Sequence, residues 1–144
     1  MGNVNKVSPE GYVYVRYNLT YSIFMFLAGI GFVIWPLLSD KEGFMKYYFL
    51  LLGLIFLIHG IYAISGRKYI RYDPQGKIIS FFGLFEFINR KVQYDNLFFR
   101  GKDLFRVIKG KMRYINVMRS QCNKEDLDFL FQEIKKDKLF IEKI

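Results

Sequence analysis

The sequence predicts an α-helical membrane hairpin joined to a small α+β domain that is mainly β. Three observations predict it. Two uncharged apolar runs, residues 19–38 and 47–65, stand one short loop apart, and each is long enough to cross a hydrocarbon core of about 30 Å as a helix. No such run follows residue 66, where short apolar-polar alternations are divided by Gly, Asn and Asp turns. Charge is divided at the same place. Of 22 Lys and Arg residues only Lys6, Arg16, Lys41 and Lys46 precede Gly66, and of 13 acids only Glu10, Asp40 and Glu42 do, which leaves 18 basic against 10 acidic side chains behind it.

The chain therefore divides into an N-terminal segment, 1–18, a two-helix hairpin, 19–65, and a domain, 66–144. That domain is small but above the roughly 40-residue limit below which folding needs disulfides or metals. The loop between the runs balances two acids with two lysines, whereas Arg67, Lys68 and Arg71 crowd directly behind the second run. This is the positive-inside bias, and it places both termini in the cytoplasm. Pro36-Leu37-Leu38-Ser39 leads into a second span without a small-residue cleavage pattern, so the first run reads as a retained span and not as a signal peptide. The richness in Lys, Ile and Phe fits an AT-rich bacterial genome, and an inner-membrane location is the expectation.

Within the hairpin, Trp35, Tyr47 and Tyr48 mark one interface, and Tyr21 and Tyr62 the other. If residues 19 and 65 lie at one depth, Gly53 faces Gly31 and His59 lies near Met25 and Ser22. Gly29, Gly31, Gly53 and Gly60 are the candidate packing positions, because small residues let helix backbones approach. His59 is the one ionisable side chain inside either run. A proton relay needs several titratable groups, so His59 is expected to be neutral and hydrogen-bonded to Ser22, Tyr21 or Tyr62.

The following half opens with a strand, 68–72, a turn at Asp73-Pro74-Gln75-Gly76 and a returning strand, 77–82. Further strands are expected at 85–89, 91–94, 97–100, 104–109 and 111–118, broken at Gly83, Asp95-Asn96, Gly101-Lys102-Asp103 and Gly110. Short turns between strands imply an antiparallel meander. The period then changes to helical. Asn123 is a candidate N-cap, Glu125 and Asp126 suit the first turn, and Leu127, Leu130, Phe131 and Ile134 recur at i, i+3, i+4 and i+7. Lys135, Lys136 and Lys138 suit its far end, and Phe140, Ile141 and Ile144 form an apolar tail expected to pack on the sheet. Ahead of the first run, Tyr12-Val13-Tyr14-Val15-Arg16-Tyr17 alternates, which fits either an added strand or an extension of the first helix.

A meander of six or seven strands followed by one helix is the pattern of a pleckstrin-homology-like (PH-like) barrel whose end the helix closes. Two membrane helices, a basic juxtamembrane strand, the stretch Val92-Gln93-Tyr94-Asp95-Asn96-Leu97, a hairpin over 104–117 and a final Asp/Leu-rich helix together resemble the bacterial PH-like membrane proteins, including YcxB-like ones. The resemblance covers roughly residues 19–136. It implies a PH-like fold and supplies no catalytic residues.

The sequence carries none of the common catalytic motifs. G-x-G-x-x-G after a strand, a P-loop, H-E-x-x-H and G-x-S-x-G are all missing, so no enzyme and no cofactor are expected. One His and one Cys cannot build a His/Cys metal cage or an internal disulfide. Glu125, Asp126 and Asp128 read as helix-start acids, and Cys122 as a structural thiol. The many basic residues, interleaved with phenylalanines, suit anionic lipid, with Arg67, Lys68 and Arg71 as headgroup contacts. Nucleic acid is not expected, since no binding motif accompanies the charge. The partners expected are membrane lipids and a protein partner or a second copy of the chain. Two functions follow: a non-enzymatic anchored module that recruits or scaffolds a partner, or an accessory subunit of a transport, secretion or stress-resistance membrane complex.

Overall fold

The computed structural model describes residues 7–39, 43–83 and 89–137. The chain forms two compact units, Tyr17–Arg67 and Met1–Arg16 with Lys68–Ile144.

The first unit is a pair of helices, α1 (Leu19–Leu38) and α2 (Phe44–Ile64). Asn18 caps α1 by accepting from the Thr20 N–H at 2.9 Å. Helix α2 begins three residues before the apolar run, because Lys46 in a first turn keeps its charge free of the apolar stretch and does not stop a helix. Both helices are long and apolar enough to cross a membrane, and only 17% and 22% of their most apolar windows are buried. Phe24, Leu27, Leu37, Phe44, Leu51 and Ile61 are all more than half exposed. A contiguous apolar surface of this extent calls for lipid or another protein around it.

Glycines set how closely the pair packs. A Cβ on Gly29 would stand 2.6 Å from the Leu57 nitrogen, one on Gly53 2.8 Å from a Val33 methyl, and one on Gly60 2.7 Å from the Phe26 backbone. Gly53 thus meets Phe32 and Val33, and the facing residue is not Gly31, beside which a Cβ would meet nothing within 4 Å. Depth along the hairpin is legible from the run ends. Rotation about the helix axis is not, and it turns Gly31 outward.

The second unit holds two antiparallel sheets and a helix. Strands β1 (Val13–Arg16), β2 (Lys68–Asp73), β3 (Ile78–Phe82) and β4 (Asn89–Gln93) form one sheet in that order, and β5 (Asn96–Arg100), β6 (Asp103–Ile108) and β7 (Lys111–Ile115) form the other. The segment before α1 is therefore a strand, with Val13 opposite Tyr72 and Val15 opposite Ile70. No ladder joins the two sheets among the described residues, so the expected closed barrel is replaced by two open sheets. The expected strand at 85–89 and the tail 140–144 lie outside the described residues, apart from Asn89, which opens β4. Strand β7 ends at Ile115 and not at 118, because the chain turns into a single 3₁₀ turn, Arg119–Gln121.

Turn chemistry sets the registers. The β6–β7 loop is the pair Lys109-Gly110, with φ of 50° and 72°, the type I′ geometry that matches strand twist. Asp95 holds it by accepting from the Lys109 N–H at 2.7 Å. In the β2–β3 turn the left-handed residue is Lys77, φ 53°, and Gly76 instead donates its N–H to the Asp73 carboxylate at 2.8 Å.

Helix α3 (Lys124–Lys136) starts at Asn123, whose side chain accepts from the Asp126 N–H at 3.1 Å. Its Leu127, Leu130 and Ile134 are buried with Val13, Val15, Ile70, Tyr72, Ile79, Leu97, Leu104 and Ile115. A polar latch fixes its start to β1. Asp126, 2% exposed, accepts from Arg16 Nε at 2.7 Å, Nη2 at 3.2 Å and the Arg16 backbone N–H at 3.2 Å, and the Asn123 N–H returns to the Arg16 carbonyl at 2.9 Å.

Candidate functional site: a basic and aromatic sheet face

Alternation along β2 buries Ile70 and Tyr72 and turns Arg71 to the opposite face. The ladder registers place Tyr14, Arg71, Ser80 and Lys91 in one row across the four strands. The Arg71 guanidinium lies 5.3 Å from the centre of the Tyr12 ring and 5.7 Å from that of Phe82. Lys68 Nζ stands 3.5 Å over the Tyr14 ring. Each such cation–π contact contributes about 0.5–1 kcal/mol at an exposed site, so the tyrosines hold these cations without neutralising them.

Two polar atoms in this row are buried and have no hydrogen-bond partner among the described residues, Arg71 Nε and Ser80 Oγ. Ser80 is 1% exposed and stands directly across from Arg71. A buried donor without a partner costs about 1–3 kcal/mol, more when charged. The row thus sets two cations, Arg71 and Lys91, on either side of a buried serine hydroxyl.

The sequence singles out Arg67, Lys68 and Arg71 as one group. Lys68 and Arg71 do share β2, while Arg67 closes the helical unit with its guanidinium 5.5 Å from the Tyr62 ring centre. Tyr12, Tyr14, Ser80 and Lys91 join the face only through strand pairing. Their one sequence signal is the Tyr-x-Tyr alternation before α1.

His59 is buried in the helical unit, edge-on to Tyr17 at 5.5 Å and Tyr21 at 6.3 Å between ring centres. Ser22, an expected partner, donates its hydroxyl to the Asn18 carbonyl at 2.8 Å. Aromatic edges thus surround the imidazole. No family model, curated protein or solved structure matches this chain.

Asp126, expected as a helix-start acid, also binds Arg16. Cys122 is 1% exposed, donates its thiol to the Met118 carbonyl at 3.4 Å and is pushed up to about 12 by burial. Such a thiol is protonated and inert at neutral pH. At the other end of α3, Tyr72 and Tyr94 both donate to the Asp137 carboxylate, and burial raises both phenols above their ordinary value.

Proposed function

We propose that this chain is a non-enzymatic module of the bacterial inner membrane. The helical pair spans the bilayer, both termini are cytoplasmic, and a PH-like domain contacts anionic lipid and recruits or scaffolds a protein partner. The observation that carries the lipid contact is the row of Arg71, Ser80 and Lys91, with Lys68 beside it, where unsatisfied donors and aromatic-held cations share one sheet face. Each cation near an anionic leaflet contributes about 1 kcal/mol.

The test is photo-crosslinking of the full chain in nanodiscs that carry a photoactivatable phosphatidic acid or, separately, phosphatidylcholine. Preferential labelling of 68–91 by the acidic lipid, lost on joint replacement of Lys68, Arg71 and Lys91 by Gln, is the expected result. Equal labelling by both lipids, or no change in the triple variant, rejects the lipid assignment.

A second reading, an accessory subunit of a transport, secretion or stress-resistance complex, is favoured by Gly31, an exposed helical glycine with open space around it. There another chain could approach closely. Gentle extraction separates the two: a subunit co-purifies with stoichiometric partners through its hairpin alone, whereas a recruiting module loses its partner when 66–144 is deleted.

A further inference from the structure

The core-side faces of the two sheets carry cations of their own. In the four-stranded sheet the row Ile70, Phe81, Arg90 runs from β2 to β4, so Arg90 shares the face that buries Ile70, Phe81 and Val92. In the three-stranded sheet Arg106 and Arg113 are direct ladder partners in one row with buried Leu97, on the face that also buries Leu104 and Ile115. The Arg90 guanidinium lies 5.9 Å from the centre of the Phe81 ring. Arg106 Nη1 donates to the Gln93 carbonyl of β4, which brings the middle strand of one sheet to the edge of the other. Burial, and then the like charges of Arg113 and Arg90, pull the Arg106 guanidinium below its ordinary value. No acid forms an ion pair with any of the three among the described residues.

Like charges directly opposite on a ladder destabilise a sheet. An inward charge on an edge strand guards against edge-to-edge pairing, which accounts for Arg90 on β4 and Arg113 on β7, the outer strands of their sheets among the described residues. It does not account for Arg106, which lies on the central strand β6 and bears both the desolvation and the repulsion. A bound anion does account for it, because one ligand neutralises all three charges. Guanidinium forks match the oxygens of carboxylate and phosphate in pairs. A carboxylate brings one negative charge against three positive ones, whereas a phosphomonoester carries about 1.5 to 2 negative charges at neutral pH. We propose that Arg90, Arg106 and Arg113 form a binding site for a phosphomonoester or pyrophosphate group, carried by a soluble metabolite or by a lipid headgroup. The site lies on the faces opposite Arg71 and Lys91, so it stands whether or not that row meets lipid.

The test is phenylglyoxal modification of the arginines of the full chain, read site by site by peptide mass spectrometry at matched ionic strength. In one arm the chain sits in phosphatidylcholine nanodiscs with or without millimolar pyrophosphate; in the other, phosphatidic acid replaces part of the phosphatidylcholine and no pyrophosphate is added. Modification of Arg90, Arg106 and Arg113 is expected to slow together at least fivefold in one arm or both, while Arg100 and Arg119, exposed on the surface, change less than twofold. Slowing by pyrophosphate identifies a soluble ligand, and slowing confined to the phosphatidic acid arm identifies a headgroup. Arg113→Gln, at an exposed position where folding does not depend on the side chain, is expected to abolish the protection of Arg90 and Arg106. No slowing in either arm, equal slowing of Arg100 and Arg119, or protection of Arg90 and Arg106 that persists in Arg113→Gln overturns the proposal.

Discussion

Cutting the latch between β1 and α3 should loosen the β unit by an amount the geometry fixes. Asp126→Ala removes an acceptor of three hydrogen bonds, two from the guanidinium of Arg16 and one from its backbone N–H. Losing one partner of a fully buried ion pair costs about 3–5 kcal/mol. Here the Arg16 side chain is 45% exposed and rehydrates when released, so the charge-assisted hydrogen-bond range of about 1.5–3 kcal/mol applies. A loss of about 2–3 kcal/mol is expected. Cys122, buried four residues before Asp126, reports it directly. When opening is fast and labelling slow, the thiol modification rate follows the open population, and each 1.4 kcal/mol is tenfold. The Asp126→Ala chain should then label about 30–150 times faster than the parent at pH 8 in the same detergent. Arg16→Ala should match or exceed this, since it strands a carboxylate that is 2% exposed. Acceleration below about threefold in both variants would refute the latch as a stabilising element.

Three further outcomes follow. Gly60→Ala drives a methyl into the Phe26 backbone at 2.7 Å and should destabilise the helical pair by about 1–3 kcal/mol, whereas Gly31→Ala should be neutral; steric-trap unfolding in bicelles measures both. Lys109→Asn, at a left-handed position of a type I′ turn, should stabilise the β6–β7 hairpin by roughly 0.5 kcal/mol, seen as slower amide exchange in β6 and β7. Burial raises Cys122 from 9.0 to about 12, so the folded chain keeps a proton that the unfolded chain loses. Its contribution is complete below about pH 9 and vanishes as pH rises to about 12; Tyr72 and Tyr94, raised likewise by burial, act in the same direction from about pH 10 upward. Urea midpoints between pH 8 and 12 should fall less steeply in Cys122→Ala.

What the sequence displays is what local physics decides. Helix α1 runs from Leu19 to Leu38, the limits of the apolar run, and α3 begins behind Asn123, whose side chain makes the expected cap. The hairpin turns fall at the Gly and Asp positions, although the left-handed residue after β2 is Lys77 and not Gly76. What is hidden depends on non-local pairing. Alternation in 12–17 suits a strand or a helix extension, and only the ladder to β2 decides between them. Barrel closure depends on which strand edges meet, so the meander pattern alone does not distinguish a barrel from two open sheets. The site divides in the same way. Lys68 and Arg71 are legible as cations directly behind the second apolar run, whereas Ser80, a lone serine in an apolar strand, stands beside Arg71 only across the ladder.

Strand β1 precedes the helical pair and its sheet neighbour β2 follows it, so the helices occupy the place of an ordinary hairpin loop. During synthesis β1 must wait unpaired until 68–73 emerge, after both helices. Were only one of the two helices to cross a bilayer, β1 and β2 would be stranded on opposite sides. The ladder and the grip of Arg16 on Asp126 would both be lost, and Val13 and Val15 would be left bare. Completion of the sheet therefore depends on both helices bringing β1 and β2 to the same place.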